Sequence, residues 1–196
     1  MKCTELVVRD HAILRRGLHI LDGMIRKLEG GERIEIADVN AVLKFFKVFG
    51  EEYHQAVEEN ALYPALMSAA GPGSSIHQMA AEHGEERSLV AWMTDAMTSR
   101  RIADFAYTSR RLIVILRDHL EREDSALGQL ASQLLAPEAD ALITAEFTKC
   151  FREPDSLLNF QRLERKYLPK GEPAVEQRPE VVRRLEILPP PPALRY

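Results

Sequence analysis

Through the chain's first 135 residues glycine and proline are sparse and cluster where helices should stop. Between those places the apolar residues recur at steps of three and four, the spacing of one face of a helix rather than of a strand. Gly30-Gly31 ends a first stretch, Gly71-Pro72-Gly73 a second, and Pro137 follows a fourth. The first stretch, about 4–29, carries Leu14, Leu18, Leu21, Ile25 and Leu28, and one step backwards lands on His11. The second, about 36–69, opens with Asp38 as its expected cap and runs through Val39, Val42, Leu43, Phe46 and Tyr53. Ser74-Ser75 supplies capping residues for the third, about 74–98, with Ile76, Met79, His83, Val90 and Met97 on its stripe. The fourth, about 101–134, has Ile102, Phe105, Leu112 and Leu116 leading to Leu127, Leu130 and Leu134.

Four long helices on short connections pack most simply as an antiparallel up-down-up-down four-helix bundle, so the predicted class is all-α. Weaker helical patterns at about 138–150 and 155–167 predict additional short C-terminal helices. The last stretch is proline-rich and reads as an extended tail, with polyproline II character at Pro189 to Pro192. The expected division is therefore 1–135 for the bundle, 136–168 for the short helices and 169–196 for the tail.

Composition narrows the function. A chain of 196 residues with 45% hydrophobic and 29% charged residues can bury a real core. Its net charge of −4 offers no electrostatic case for nucleic acid or an anionic membrane. No stretch is apolar for long enough to span a bilayer, and the N-terminal MKCTELVVRDH meets charges too early for a secretory signal. Cys3 and Cys150 are far apart with no CxxC, which predicts two reduced thiols and a cytoplasmic setting.

Two of the predicted helices share a motif, His-x-x-x-Glu followed by another acid. It appears as His54…Glu58-Glu59 on the second and His119…Glu123-Asp124 on the fourth. Residues four apart lie on one helical face, so each pair presents an imidazole and a carboxylate together. The first and third helices each add one core-facing histidine, His11 and His83. Counting residues from each of these positions to the intervening turns, at about 1.5 Å rise per residue, leaves mismatches of roughly 1.5, 1.5 and 6 Å between neighbours. Antiparallel packing thus brings all four histidines near one layer.

A lone histidine on an apolar face is ordinarily a satisfied core residue, and a single His-x-x-x-Glu is ordinarily a surface pair. Four histidines, one per helix and at one level, with two carboxylates among them, would require repeated coincidence. The alternative is a metal site in the core. Imidazole with carboxylate and without thiolate suits iron, manganese or zinc. Six donors, His11, His54, Glu58, His83, His119 and Glu123, are too many for one tetrahedral ion. They suit two metals, each with two histidines, with both glutamates bridging. The metal charge would offset the burial of Glu58 and Glu123, and Gly50, Ala61 and Ala65 would leave room beside it.

Adjacent acids Glu59, Glu82 and Asp124 are expected to face solvent or to orient neighbours. Tyr53 and Tyr63 are candidates to line the pocket. His19, about 80° round the helix from His11, reads as core, and His77 as a surface residue.

With these residues in place the chain resembles the hemerythrin family, in its histidine–histidine–glutamate cation-binding branch. The resemblance spans about 5–135 and rests on RDH around His11, on YHQAVEENALYPAL at 53–66, on GPGSSIHQMAAEHGEERSLV at 71–90 and on LRDHLERED at 116–124. Histidine precedes the acid by four on both helices, unlike the Glu-x-x-His order of ferritin-like di-iron proteins. The chain also departs from hemerythrins proper. Met79 and Arg87 stand four residues either side of His83, where those carry a second histidine, and the fourth-helix motif ends in Glu123. Val57 replaces a common lysine, and Leu127-Gly128-Gln129 the usual Leu-Phe-Pro.

The resemblance implies two non-haem iron ions in a carboxylate-bridged di-iron site, with oxygen, nitric oxide or peroxide as the small ligand. The expected role is binding or sensing such a ligand. One alternative is a redox enzyme on the same site: a peroxidase, an oxidase, a nitric-oxide-consuming activity or an iron donor for cluster repair. No separate acid–base constellation in the sequence demands turnover. The other alternative is a regulatory module whose proline-rich tail docks a protein partner.

Overall fold

The computed structural model describes residues 1–70 and 75–169 of the chain, and among these it is all-α, without a strand. Helix α1 spans Lys2–Glu29, and α2 runs without interruption over 36–70. Helix α3 covers Ser75–Thr98 and α4 Ile102–Leu134, followed by α5 (Pro137–Cys150), a single turn α6 (Pro154–Leu157) and α7 (Phe160–Tyr167). The 155–167 pattern is thus broken at Leu158 and Asn159, where Asn159 caps α7 by accepting from the Arg162 N–H. All but the first residue of the predicted proline-rich tail lie outside the described residues.

The stripes read from sequence are the buried faces. Leu14, Leu18, Leu21 and Ile25 of α1, Val39, Val42, Phe46 and Tyr53 of α2, and Leu112, Leu116 and Leu127 of α4 share one core. Ile102 departs from its predicted stripe. It is exposed because it is the first residue of α4, beside a turn rather than beside another helix. That turn closes α3 with the Arg101 N–H on the Ala96 carbonyl and the Arg100 N–H on Met97, while Arg100 takes the left-handed conformation (φ 56°).

Neighbouring long helices meet in opposite senses. Between α1 and α2, residue 10 meets 53 and residue 17 meets 45. Between α2 and α3, residue 55 meets 86 and residue 63 meets 83. Between α3 and α4, residue 85 meets 111 and residue 82 meets 119. Helices α1 and α4 close the set, with 11 against 124 and 29 against 110.

Helix α2 carries an irregularity that its sequence pattern does not announce. Its turns widen to i→i−5 hydrogen bonds over Phe46–Gln55 and again over Glu58–Leu62, as in the Ala56 N–H to Glu51 and Tyr63 N–H to Glu58 bonds. Pro64, which has no N–H to donate, follows the second widening. Such π-helical turns gather at functional sites, and His54 and Glu58 both lie in them.

The short C-terminal helices pack on α1 and α2 rather than standing apart. Phe147 and Phe160 are fully buried, Phe160 edge-on to Phe45. Asp38 is not the cap of α2, which begins earlier, after Glu35. Its buried carboxylate instead accepts from Arg162 (2.5 Å), Lys166 (2.6 Å) and the Tyr167 hydroxyl (2.7 Å). Gly23 makes this docking possible: a Cβ there would sit 2.4 Å from the Tyr167 carbonyl oxygen.

Candidate metal centre

Halfway along the core, the apolar stripes give way to polar side chains that are at most 1% exposed: Asp10, His11, His54, Glu58, His83, His119 and Glu123. The six expected donors all arrive there. They form two groups that share Glu123, one of His11, His54, Glu58 and Glu123 and the other of His83, His119 and Glu123, with donor atoms within 4.8 Å of one another in each.

Each glutamate lies between two imidazoles. Glu123 Oε2 is 3.1 Å from His11 Nε2 and 3.2 Å from His119 Nε2. Glu58 Oε2 is 3.5 Å from both His54 Nε2 and His83 Nε2, and Glu58 Oε1 is 4.0 Å from His11 Nε2. The Tyr63 hydroxyl donates to Glu123 Oε1 and lies 3.4 Å from His83 Nε2.

These groups fit a cation better than they fit each other. His11 Nε2, both nitrogens of His54, both oxygens of Glu58 and Glu123 Oε2 are buried with no hydrogen-bond partner. An unpaired buried polar atom ordinarily costs about 1–3 kcal/mol, and a cation held among these atoms could satisfy them together. Titration behaviour is correspondingly divided. Burial drives the Glu58 carboxyl well above its ordinary value, and the charges of Glu123 and Glu86 push the same way. Burial opposes ionisation of Glu123 too, but His11 and His119 beside it hold its carboxyl well below the usual range. Burial lowers His83 to about 4, helped by the charge on His119. Burial lowers His119 as well, but the Glu123 carboxylate 3.2 Å from its Nε2, with further help from Glu86 and Glu82, outweighs it and raises His119 to about 9.

The acids adjacent to the candidate donors have a role that sequence adjacency alone does not reveal. His11 Nδ1 lies 2.7 Å from Asp124, His83 Nδ1 2.9 Å from Glu59, and His119 Nδ1 2.9 Å from Glu82. A carboxylate at Nδ1 fixes the proton on that nitrogen and turns the Nε2 lone pair toward the centre. Each acid neighbours a candidate donor on its own helix but serves the histidine of the next helix. Glu59 of α2 serves α3, Glu82 of α3 serves α4, and Asp124 of α4 serves α1. Asp10 of α1 faces His54 of α2 at 3.9 Å and completes the ring. An arginine holds every one of the four: Arg9 on Asp10, Arg15 on Asp124, Arg87 on Glu59 and Arg122 on Glu82.

Sequence reasoning named three of the four ring acids and missed Asp10, although it directly precedes His11. It also missed Glu86, a buried acid three residues after His83 on the same helix. Glu86 accepts from Gln55 at 2.6 Å and lies 3.8 Å from His119 Nδ1, and burial pushes its carboxyl up to about 7. Tyr63 lines the centre as expected, whereas Tyr53 stands outside it and donates to Asp10 (2.7 Å). His19 is half-buried and outside both groups, and His77 is exposed.

A cavity of about 20 Å³ adjoins the cluster, with Leu14, Phe46, Gly50, Gln55, Glu86 and Val90 among its walls. Gly50 lines it, although a Cβ there would meet only Leu14, at an ordinary contact distance of 3.6 Å. Ala61 and Ala65, expected to do the same, are only partly buried and do not line it, because they lie beyond Glu58 toward the far end of α2.

Among the described residues no helix is long and apolar enough to cross a membrane. No curated protein and no solved structure is matched by the chain. The model of one family, the hemerythrin HHE cation binding domain, matches residues 3–131, which takes in all six candidate donors and all four ring acids. Two-thirds of the sequence and the whole of the buried histidine–glutamate cluster therefore say the same thing: the chain belongs to the hemerythrin HHE cation-binding domain family.

Proposed function

We propose that this protein is a non-haem di-iron protein that binds or senses a small diatomic ligand, oxygen or nitric oxide. One observation carries the reading: Glu58 and Glu123 each lie between one imidazole of the His11/His54 group and one of the His83/His119 group. That is the placement required of two carboxylates bridging a pair of ions, with two histidines left for each. Bound iron would supply a redox-active centre with room for a further ligand. The protein's own part is to aim the Nε2 lone pairs through the ring of acids, to keep water out with the surrounding core, and to place the Tyr63 hydroxyl as a donor over the site.

In this reading residues 1–135 form the up-down-up-down four-helix bundle, which the opposed contacts of neighbouring helices support. Residues 136–168 brace α1 and α2. The free thiols of Cys3 and Cys150 agree with a reducing, cytoplasmic setting. Metal analysis of the full chain from its native host is expected to give two irons per chain. Anaerobic reduction followed by oxygen or nitric oxide should then change the optical and Mössbauer spectra. Zinc, or no metal, in such a preparation would overturn the proposal.

A further inference from the structure

Three links of the acid ring are closed at hydrogen-bond distance and one is open. Asp10 Oδ2 lies 3.9 Å from His54 Nδ1, too far for a hydrogen bond, and both nitrogens of His54 lack partners. Two other residues hold the Asp10 carboxylate in its place. Its Oδ1 accepts from Arg9 Nε and Nη2 at 2.9 and 2.7 Å, and its Oδ2 accepts from the Tyr53 hydroxyl at 2.7 Å. Arg9 Nη2 also donates to the Tyr53 oxygen at 3.0 Å, closing a three-residue knot.

The knot is packed from outside the stretch that the family model covers. Phe147 of α5 and Phe151 just after it stand edge-on to the Tyr53 ring, with centroids at 6.3 and 5.7 Å. The Arg9 guanidinium lies over the Phe151 ring, 4.6 Å from its centroid. None of the other three ring acids has a tyrosine competing for it or an aromatic brace from the C-terminal helices among the described contacts.

We infer that Tyr53 is a positioning residue: its hydroxyl withholds Asp10 from His54, leaving His54 the least firmly oriented of the four histidines, and Phe147 and Phe151 hold Tyr53 in that setting. The C-terminal helices thereby reach the metal centre through a single side chain. The inference rests on the reading of His54 as a metal donor, because only then does its orientation affect metal binding.

The test uses the full chain, metal-free and loaded with zinc as a probe, with Tyr53→Phe as the central variant. Loss of the hydroxyl frees Asp10 Oδ2 for His54 Nδ1. Nitrogen-15 spectra of the imidazoles should show a new hydrogen-bonded Nδ1–H on His54 in the metal-free protein. Zinc affinity of the site containing His54 should rise about tenfold, the lower end of what outer carboxylates contribute. Adding Asp10→Asn to Tyr53→Phe should abolish the gain. Phe151→Ala, which loosens the brace and keeps the hydroxyl, should give a partial form of the Tyr53→Phe spectrum.

An unchanged His54 spectrum in Tyr53→Phe overturns the inference, whatever the metal does. So does an affinity that falls only in step with thermal stability. A changed spectrum with no zinc uptake in wild type or variant would uphold the positioning of His54 and refute the metal reading on its own.

Discussion

Helix α2 buries two acids twenty residues apart, and the protein treats them in opposite ways. Asp38 is surrounded by three donors, Arg162, Lys166 and Tyr167, and although burial opposes its ionisation their hydrogen bonds pull its carboxyl down to about 2. Glu58 has no donor on either oxygen, and burial pushes its carboxyl well above its ordinary value. The first is a completed electrostatic joint between the C-terminal helices and the four long ones. The second is a pair of buried oxygens that a cation could satisfy. Equal burial with unequal satisfaction separates an acid that stabilises the fold from one that the fold tolerates for the sake of something it binds.

The contrast predicts that the two acids respond to substitution with opposite signs. Asp38→Ala strands the buried Tyr167 hydroxyl, whereas Arg162 and Lys166, 48% and 31% exposed, turn to solvent, so the unfolding free energy should fall by about 1–2 kcal/mol. Metal content should not change. Glu58→Leu removes two unsatisfied oxygens at similar volume, so the metal-free protein should gain about 1 kcal/mol or more. The same variant should also take up less metal than the parent. Denaturant titration of metal-free protein, alongside metal analysis of loaded protein, reads all four quantities. A Glu58→Leu protein that is less stable without metal than the parent would break the comparison.

Acid and base sharpen it next. Asp38 has a depressed carboxyl, so its contribution is complete above the ordinary value near 4 and is lost as pH falls through about 2. The metal centre answers at the other end of the scale. His119 is raised to about 9 without metal, so the stability it lends that form is complete below about 6.5 and disappears as pH rises through 9. A metal held at His119 Nε2 would have to displace that proton. Between pH 7 and 9 the affinity should therefore rise about 50-fold from His119 alone, with proton release on binding shrinking over the same range. Competition against a chelator and proton counting by calorimetry in two buffers would measure both.

What the sequence made legible follows from the same physics. The buried histidine–glutamate cluster was readable because a helix returns to the same face every three or four residues. His54 with Glu58 and His119 with Glu123 therefore announce themselves, and His11 and His83 continue apolar stripes. The predicted 6 Å lag of His119 does not exist as an obstacle, since its Nε2 sits 3.1 Å from that of His83. Residues 99–101 form a turn that adds little rise, and 15 residues of α3 face 17 of α4. The widened turns of α2 were not readable, because i→i−5 bonding leaves no residue-type signature beyond a nearby proline. Asp38 was taken for a cap because an aspartate near a helix start ordinarily is one. Its true partners lie more than 120 residues away, and no local pattern points to them. The ring of acids was half readable: adjacency to a donor marked three members, but which histidine each one serves depends on which helix is the neighbour.

That ring supplies the finest-grained prediction, because there a paired acid acts for a neighbour instead of for itself. Around Asp38 the cations satisfy the carboxylate and the chain of consequence ends. Around Asp124, Arg15 satisfies one oxygen at 2.5 Å while the other holds His11 Nδ1 at 2.7 Å. Asp124→Asn keeps the shape and loses the charge, which should weaken metal binding about tenfold through the basicity and aim of His11. Arg15→Met removes only the outermost member. Both Arg15 and Asp124 are about a quarter exposed, and solvent takes over much of the arginine's role, so the loss should stay near two- to threefold. Unfolding of the metal-free protein should shift by less than about 1 kcal/mol in either case. Metal affinities that fall off in this order, acid before arginine, would mark the ring as a device for aiming imidazoles. Equal losses would mean that the arginines, and not the acids, set the field at the centre.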